Sequence, residues 1–136
     1  MKVVLDSNIL LAAIGKRSGY SNIWKAFINK KYSLIISDEV VYEYEEILQR
    51  RSAKGAAKII MEILIESSNV INQQIYYSWN AIKHDPDDNK FFDIAVAANA
   101  DYLVTNDAHF NILKSLSFPK VEIITAGEFL KVLERI

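Results

Sequence analysis

Short runs of aliphatic and β-branched residues alternate along the chain with longer stretches in which apolar positions recur every three or four residues. Residues 2–6, 32–37, 69–72, 102–105 and 121–125 are of the first kind, each bounded by polar residues, and read as strands. Helical spacing lies between them. Residues 20–29 carry Ile23, Trp24, Phe27 and Ile28, and the segment 38–51 carries Val40, Val41, Tyr44, Ile47 and Leu48. Further helices are predicted over 53–66, over 86–99, briefly near 110–115, and over 126–133 after a cap at Thr125. This alternation predicts an α/β fold, a parallel sheet covered on both faces with right-handed crossovers. In such sheets ligands bind beyond the carboxyl ends of the strands, where the strand order reverses.

A length of 136 residues with 51% hydrophobic composition suits one domain, residues 1–136, able to bury a core without disulfides or structural metals. The lack of cysteine excludes thiol catalysis, zinc–cysteine sites and disulfide frameworks. Four glycines and two prolines leave no linker or low-complexity tract. The apolar runs at 8–15 and 58–65 break well before the roughly 18 residues of a membrane span. Asp6 interrupts the N-terminus before any leader can develop, so no membrane association and a cytoplasmic protein are expected. Sixteen basic and seventeen acidic residues give a net charge of -1, which carries no global nucleic-acid footprint. Carboxylates gathered at a metal site would hide a basic patch in that sum. One local cluster, Arg50, Arg51, Lys54 and Lys58, falls at a helix end and the following turn, where the helix dipole alone already favours it.

The carboxylates are distributed unevenly. Asp6 ends the first predicted strand and Asp107 lies just past the fourth, so both enter the same crevice if those strands flank the switch point. Four more fall in Asp85-Pro86-Asp87-Asp88-Asn89-Lys90-Phe91-Phe92-Asp93. A helix start with Asp85 as cap, Pro86 at the first position and acids in the first turn accounts for Asp85 and Asp87 without any chemistry. It does not account for Asp93. At 100° per residue, the stripe Phe91, Ile94, Ala95 and Ala98 faces the sheet, with Asp88 about 70° and Asp93 about 150° from its centre. Both are kept as candidates, Asp88 first. In the helix over 38–51, Glu43 and Glu45 each lie about 40° beyond the apolar stripe, and geometry alone does not choose between them. Carboxylates converging on one strand edge repel one another, and a hard divalent cation is the natural compensation. All-oxygen ligands, with only His84 and His109 as imidazoles and both read as surface or turn residues, favour Mg²⁺ or Mn²⁺ over zinc.

Four stretches then resemble a PIN domain, the small nuclease fold of VapC-type toxins. They are Val3-Val4-Leu5-Asp6-Ser7-Asn8-Ile9-Leu10, Ile36-Ser37-Asp38-Glu39-Val40-Val41-Tyr42-Glu43-Tyr44, residues 85–100, and Ala100-Asp101-Tyr102-Leu103-Val104-Thr105-Asn106-Asp107. The Asp-Pro-Asp-Asp-Asn-Lys-Phe segment and the Ala-Asp-Tyr-Leu-Val-Thr run are the most diagnostic, and they are similar to the toxin–antitoxin branch of the family. The resemblance implies a single-domain three-layer α/β/α sandwich with a five-stranded parallel sheet in the order 3-2-1-4-5. It implies an acidic catalytic and metal site of Asp6, Glu43 rather than Glu45, Asp107, and Asp88 with Asp93. Alignment on the fourth strand puts the third acid at Asn89 without a gap or at Asp88 with one. Ser7 and Asn8 match the element that shapes the floor of the site. Asn106 stands where the branch often has glycine, which is expected to disturb the loop carrying Asp107.

The implied activity is Mg²⁺- or Mn²⁺-dependent hydrolysis of RNA phosphodiesters, leaving 5′-phosphate and 3′-hydroxyl ends, as the toxin of a toxin–antitoxin pair. The implied partners are the RNA substrate, a second copy in a homodimer and a small cognate antitoxin. Lys16, Arg17, Arg50, Arg51, Lys54 and Lys90 are candidates for phosphate contacts, and Tyr42, Tyr76, Tyr77 and Trp79 for base stacking. Ile23, Trp24 and Phe27 and the run 59–65 are candidates for partner surfaces, with core packing the plainer expectation. Aspartyl-phosphate phosphatase and receiver-domain readings fail at Asn8 and Asn72, where each needs an aspartate. The rival reading is a non-catalytic PIN-like module that binds RNA or protein.

Overall fold

The computed structural model describes residues 1–15, 18–83 and 85–136, so Lys16, Arg17 and His84 lie outside the described residues. The strands are β1 (Lys2–Leu5), β2 (Ser33–Ile36), β3 (Val70–Asn72), β4 (Tyr102–Val104) and β5 (Ile123–Ile124). The helices are α1 (Ser7–Ile14), α2 (Ser21–Ile28), α3 (Asp38–Arg51), α4 (Ala56–Glu66), α5 (Asn89–Ala97) and α6 (Ala126–Glu134). All neighbouring strands pair in parallel, in the order β3-β2-β1-β4-β5. This is the three-layer α/β/α arrangement expected, with β1 at the centre.

Residues Val3, Val4 and Leu5 are buried, as both faces of a parallel central strand require. Their register pairs Leu5 with Val104, so β1 and β4 end side by side. From β1 the chain crosses to β2 on one side, and it later returns from β3 to β4 on the other. The strand order therefore reverses between β1 and β4, which opens a crevice at their carboxyl ends. Helix α5 packs on β1, β2 and β4, and α3 packs on α1, α4 and α5. The Tyr44 hydroxyl, buried in α3, donates to the Leu5 carbonyl at 2.5 Å and ties that helix to the end of β1.

The structure departs from the sequence reading at several elements. Helix α1 was not anticipated, because Ile9, Leu10, Leu11, Ala12, Ala13 and Ile14 form an almost unbroken apolar run with no polar face to mark a period. The helix expected over 53–66 starts at Ala56, after Gly55 at φ +84°. The one expected over 86–99 opens with a 3₁₀ turn, Pro86–Asp88, and its α-helical part ends at Ala97, followed by Asn99 in the left-handed region. The one near 110–115 is a 3₁₀ helix, Ala108–Ser115, and β5 keeps only two residues of the run 121–125.

Candidate metal centre

Three backbone ends converge on the crevice. Asp6 follows β1 directly, its amide donating to the Val104 carbonyl at 3.0 Å, while its own carbonyl accepts from Ile9 and Leu10 as α1 begins. The Asp6 side chain is buried, and one oxygen accepts from Thr105 Oγ1 at 2.8 Å. The same Thr105 hydroxyl accepts the amide of Asp107 at 3.0 Å. Thr105 thus sets the spacing between the acids at the ends of β1 and β4. Sequence reasoning passed over it, although the strand-ending threonine of the Leu-Val-Thr run was the available signal.

Helix α3 contributes Glu43. Ser37 caps the helix by accepting from Val40 N at 3.3 Å, and Val40, Tyr44, Ile47 and Leu48 bury one face. Glu43 then projects beside that face into the crevice, where its Oε2 accepts from Ser7 Oγ and its Oε1 binds Lys90 Nζ at 2.9 Å. Glu45 lies outside the crevice and meets Gln49 instead. Lys90, expected as a phosphate contact, is therefore paired with a carboxylate. Asn8 lines the crevice as well.

The 3₁₀ turn before α5 brings in Asp85 and Asp88. Asp85 makes no side-chain cap hydrogen bond, so the structural role that the sequence offered it is not taken up. Asp88 Oδ2 is closed off from solvent and has no hydrogen-bond partner among the described residues. Burial first, then the carboxylates of Asp85, Asp6, Asp107 and Glu43, push the Asp88 carboxyl up to about 7. Asp6 is raised for the same reasons, burial ahead of Glu43 and Asp107, with the Thr105 hydrogen bond opposing. Eight carboxylates thus line one cleft of about 670 Å³, Glu39, Glu46 and Asp87 together with Asp6, Glu43, Asp85, Asp88 and Asp107. A buried carboxylate oxygen without a donor, surrounded by like charge, is the arrangement a hard cation relieves, and the oxygen-rich donor set fits Mg²⁺ or Mn²⁺.

A profile described as the PIN domain matches residues 2–109, which spans the strands, the acids and the crevice. The chain belongs to the PIN domain family. No curated protein is significantly similar to it in sequence. Among solved structures, a chain of the Rickettsia felis VapBC2 structure, bound to a DNA fragment from their promoter, superposes with a TM-score of 0.63. The two are 19% identical over 92% of this chain and 98% of that one. Mycobacterium tuberculosis VapC20, a toxin that cleaves the sarcin–ricin loop, gives 0.59 and 15% identity over 80% and 92%. At such identities the likeness establishes a shared VapC-like fold.

Two residues aligned with the PIN acids lie away from the cleft. Asp93 is buried among Phe91, Phe92, Ile94 and Ala95, and its Oδ1 accepts the Trp79 amide at 3.2 Å. Burial raises its pKa, with that hydrogen bond opposing. It lines a separate hollow with Ser78, Asn80 and Asn89. Asn89 makes two hydrogen bonds to the backbone of Ile82, at 2.8 and 3.0 Å, so the ungapped alignment position is used for anchoring and Asp88 is the acid at the cleft. Asn106, expected to disturb its loop, instead accepts from Ala126 N at 3.0 Å and pins that loop to the start of α6.

Of the other candidates, Arg50, Arg51 and Tyr42 line the cleft mouth along α3, and Lys54 does not. Tyr76 and Tyr77 are exposed, and Trp79 stacks edge-on between Tyr77 and Phe118. Ile23 and Phe27 are core residues and Trp24 packs against that core, whereas Ile59 and Ile65 on α4 are exposed. No helix among the described residues is long and apolar enough to cross a membrane. His109, read as a surface residue, sits against Asp85 and Asp107 at the rim.

Proposed function

We propose that this PIN domain is a metal-dependent ribonuclease that hydrolyses RNA phosphodiesters in the cytoplasm as the toxin of a toxin–antitoxin pair. The observation that carries the reading is Asp88, whose partnerless buried oxygen and raised pKa sit among four other carboxylates. Asp6, Asp88 and Asp107 are the proposed inner ligands for Mg²⁺ or Mn²⁺. A bound divalent cation supplies an acidified water and polarises the phosphoryl oxygen.

The chain's own residues do the rest. Ser7 and Lys90 occupy both oxygens of Glu43, which suits that carboxylate to orienting the attacking water from a fixed position. Thr105 keeps Asp6 and Asp107 in register as a supporting hydrogen-bond partner. Arg50 and Arg51 offer phosphate contacts at the cleft mouth, and exposed Tyr42 offers a stacking face for an unpaired base. Asp93 supports the site by holding the segment before α5. Exposed Ile59 and Ile65 on α4 suit a homodimer contact or an antitoxin segment.

Thermal unfolding of the wild type and Asp6→Asn across a Mn²⁺ titration, paired with cleavage of a labelled single-stranded RNA, tests the reading. Wild type should show a saturable rise in stability, lost in EDTA and in the variant, together with metal-dependent cleavage. If wild type shows neither response, a non-catalytic binding module takes the place of the nuclease.

A further inference from the structure

The start of α5 borders a second hollow beside the acid cleft. Asp93 stands three residues from Lys90 and four from Asn89, so the three share one side of the helix. Together with Ile75, Ser78 and Asn80 of the irregular chain before α5, they line a hollow of about 240 Å³. Glu39, Asp87 and Lys90 border both this hollow and the cleft, so the two adjoin. The hollow is smaller than the roughly 300–1,000 Å³ of pockets for drug-sized ligands, which suits it to a single ring system.

Asp93 is 5% exposed, and its Oδ1 accepts the Trp79 amide at 3.2 Å. Anchoring that amide needs one acceptor, which a neutral asparagine would supply at lower cost than a buried carboxylate. Oδ2 has no donor among the described residues. Unlike Asp88 Oδ2 it is not closed off, so its free edge opens into the hollow. Lys90, the cation on the same side of the helix, is held by Glu43 at 2.9 Å. A ligand that displaces water from Asp93 must therefore bring donors of its own.

We propose that this hollow reads an unpaired guanine of the RNA substrate through the Asp93 carboxylate, one nucleotide away from the phosphate held at the acid cleft. Guanine is the one base with two donors side by side, N1–H and the 2-amino group, which match the two oxygens of a carboxylate. Adenine and cytosine set an acceptor nitrogen beside their amino group, and uracil flanks one N–H with two carbonyls, so each turns a lone pair on Asp93. Ser78 and Asn80 offer donors for the guanine O6, and Ile75 and Pro86 offer apolar contact to the ring. The layout of α3 agrees. Glu39, Glu43, Glu46 and Arg50 share one face of that helix, with Arg50 at the cleft mouth and Glu39 at the hollow. Glu39 is one turn, about 6 Å, from Glu43, so a strand entering past Arg50 reaches the acids and then the hollow. This subsite rests on the ribonuclease reading.

Fluorescence anisotropy in EDTA, with short labelled oligouridylates carrying a single guanosine, adenosine, cytidine or inosine, tests it without reference to turnover. Wild type should bind the guanosine RNA at least about fivefold more tightly than the adenosine, cytidine or all-uridine RNA. Inosine keeps N1–H and lacks the 2-amino group, so its RNA should fall between. Asp93→Asn should bind all of them alike, still holding the all-uridine RNA through its phosphates. The inosine comparison leaves the protein untouched, so a poorly folded variant cannot imitate the result. No discrimination by wild type, whether it binds all of these RNAs or none, overturns the subsite, and so does a guanosine preference that survives Asp93→Asn. Failure of the ribonuclease reading shows separately, because Mn²⁺ would then leave even a mixed-sequence single-stranded RNA uncut, whatever the relative affinities.

Discussion

Asp88 concentrates the tension of the site in one side chain. Its folded pKa of about 7 lies far above the 3.8 of a free aspartate. Between those values the folded protein holds a proton that the unfolded chain has released, so more protons are bound in the native state. By linkage the metal-free protein must lose stability as pH rises through that window, with the loss complete above it. The side chain is partly exposed, so solvent screening reduces the effect well below the full shift, to about 1–2 kcal/mol. Asp88→Asn is therefore expected to stabilise the protein in EDTA by about 1–2 kcal/mol at pH 8 and by almost nothing at pH 4, measured by urea unfolding. Saturating Mn²⁺ should reverse the order, because only wild type keeps the ligand. A variant equally or less stable than wild type at both pH values would mean that the surrounding carboxylates do not strain Asp88.

At the scale of elements, what the sequence made legible depended on whether a period survived packing. Strand runs and the stripe of α3 did survive, so those elements followed from residue spacing, whereas the sheet order and the choice of Glu43 over Glu45 came from the PIN resemblance alone. Helix α1 has no polar face, and no period marks it. Helix α5 fails in the opposite way: the irregular chain of residues 73–82 covers the face that periodicity assigns to solvent, burying Phe92 and Asp93 along with the sheet-facing stripe. No local pattern announces a covering loop, which is why Asp93 resembled a site acid. Two substitutions separate anchoring from ligation. Asn89→Ala strips both backbone partners from buried Ile82 and should cost about 2–3 kcal/mol in chemical denaturation. Asp93→Asn keeps an acceptor for the Trp79 amide and should leave Mn²⁺ affinity within about twofold, whereas losing a group that holds a metal ligand typically costs about 10- to 100-fold. A large fall in Mn²⁺ affinity for Asp93→Asn would return that acid to the ligand set.

Across the whole molecule, a net charge of -1 conceals a division of labour along a single helix. Helix α3 begins with Asp38 and Glu39 and ends with Arg50 and Arg51, the polarity its dipole favours, and its middle delivers Glu43 to the acid floor. From Glu43 to Arg50 the helix rises about 10 Å, so the guanidinium groups stand at the cleft mouth about two turns from Glu43, with only Glu46 of the lining acids on α3 one turn from Arg50. An RNA strand crossing that mouth would meet positive charge before it meets the acids, which the summed charge could never have indicated. Replacing Arg50 and Arg51 by alanine should then act on association and leave the chemical step alone. Binding of a labelled single-stranded RNA, followed by fluorescence anisotropy in EDTA, should weaken at least several-fold. Its log–log dependence on salt should flatten by about 0.7 per lost phosphate contact. With Mn²⁺ present, KM should rise while kcat stays within about twofold, the signature of binding energy used equally in ground and transition states. An unchanged salt slope would assign the two arginines to the helix terminus alone, and RNA would have to approach the acids by another wall of the cleft.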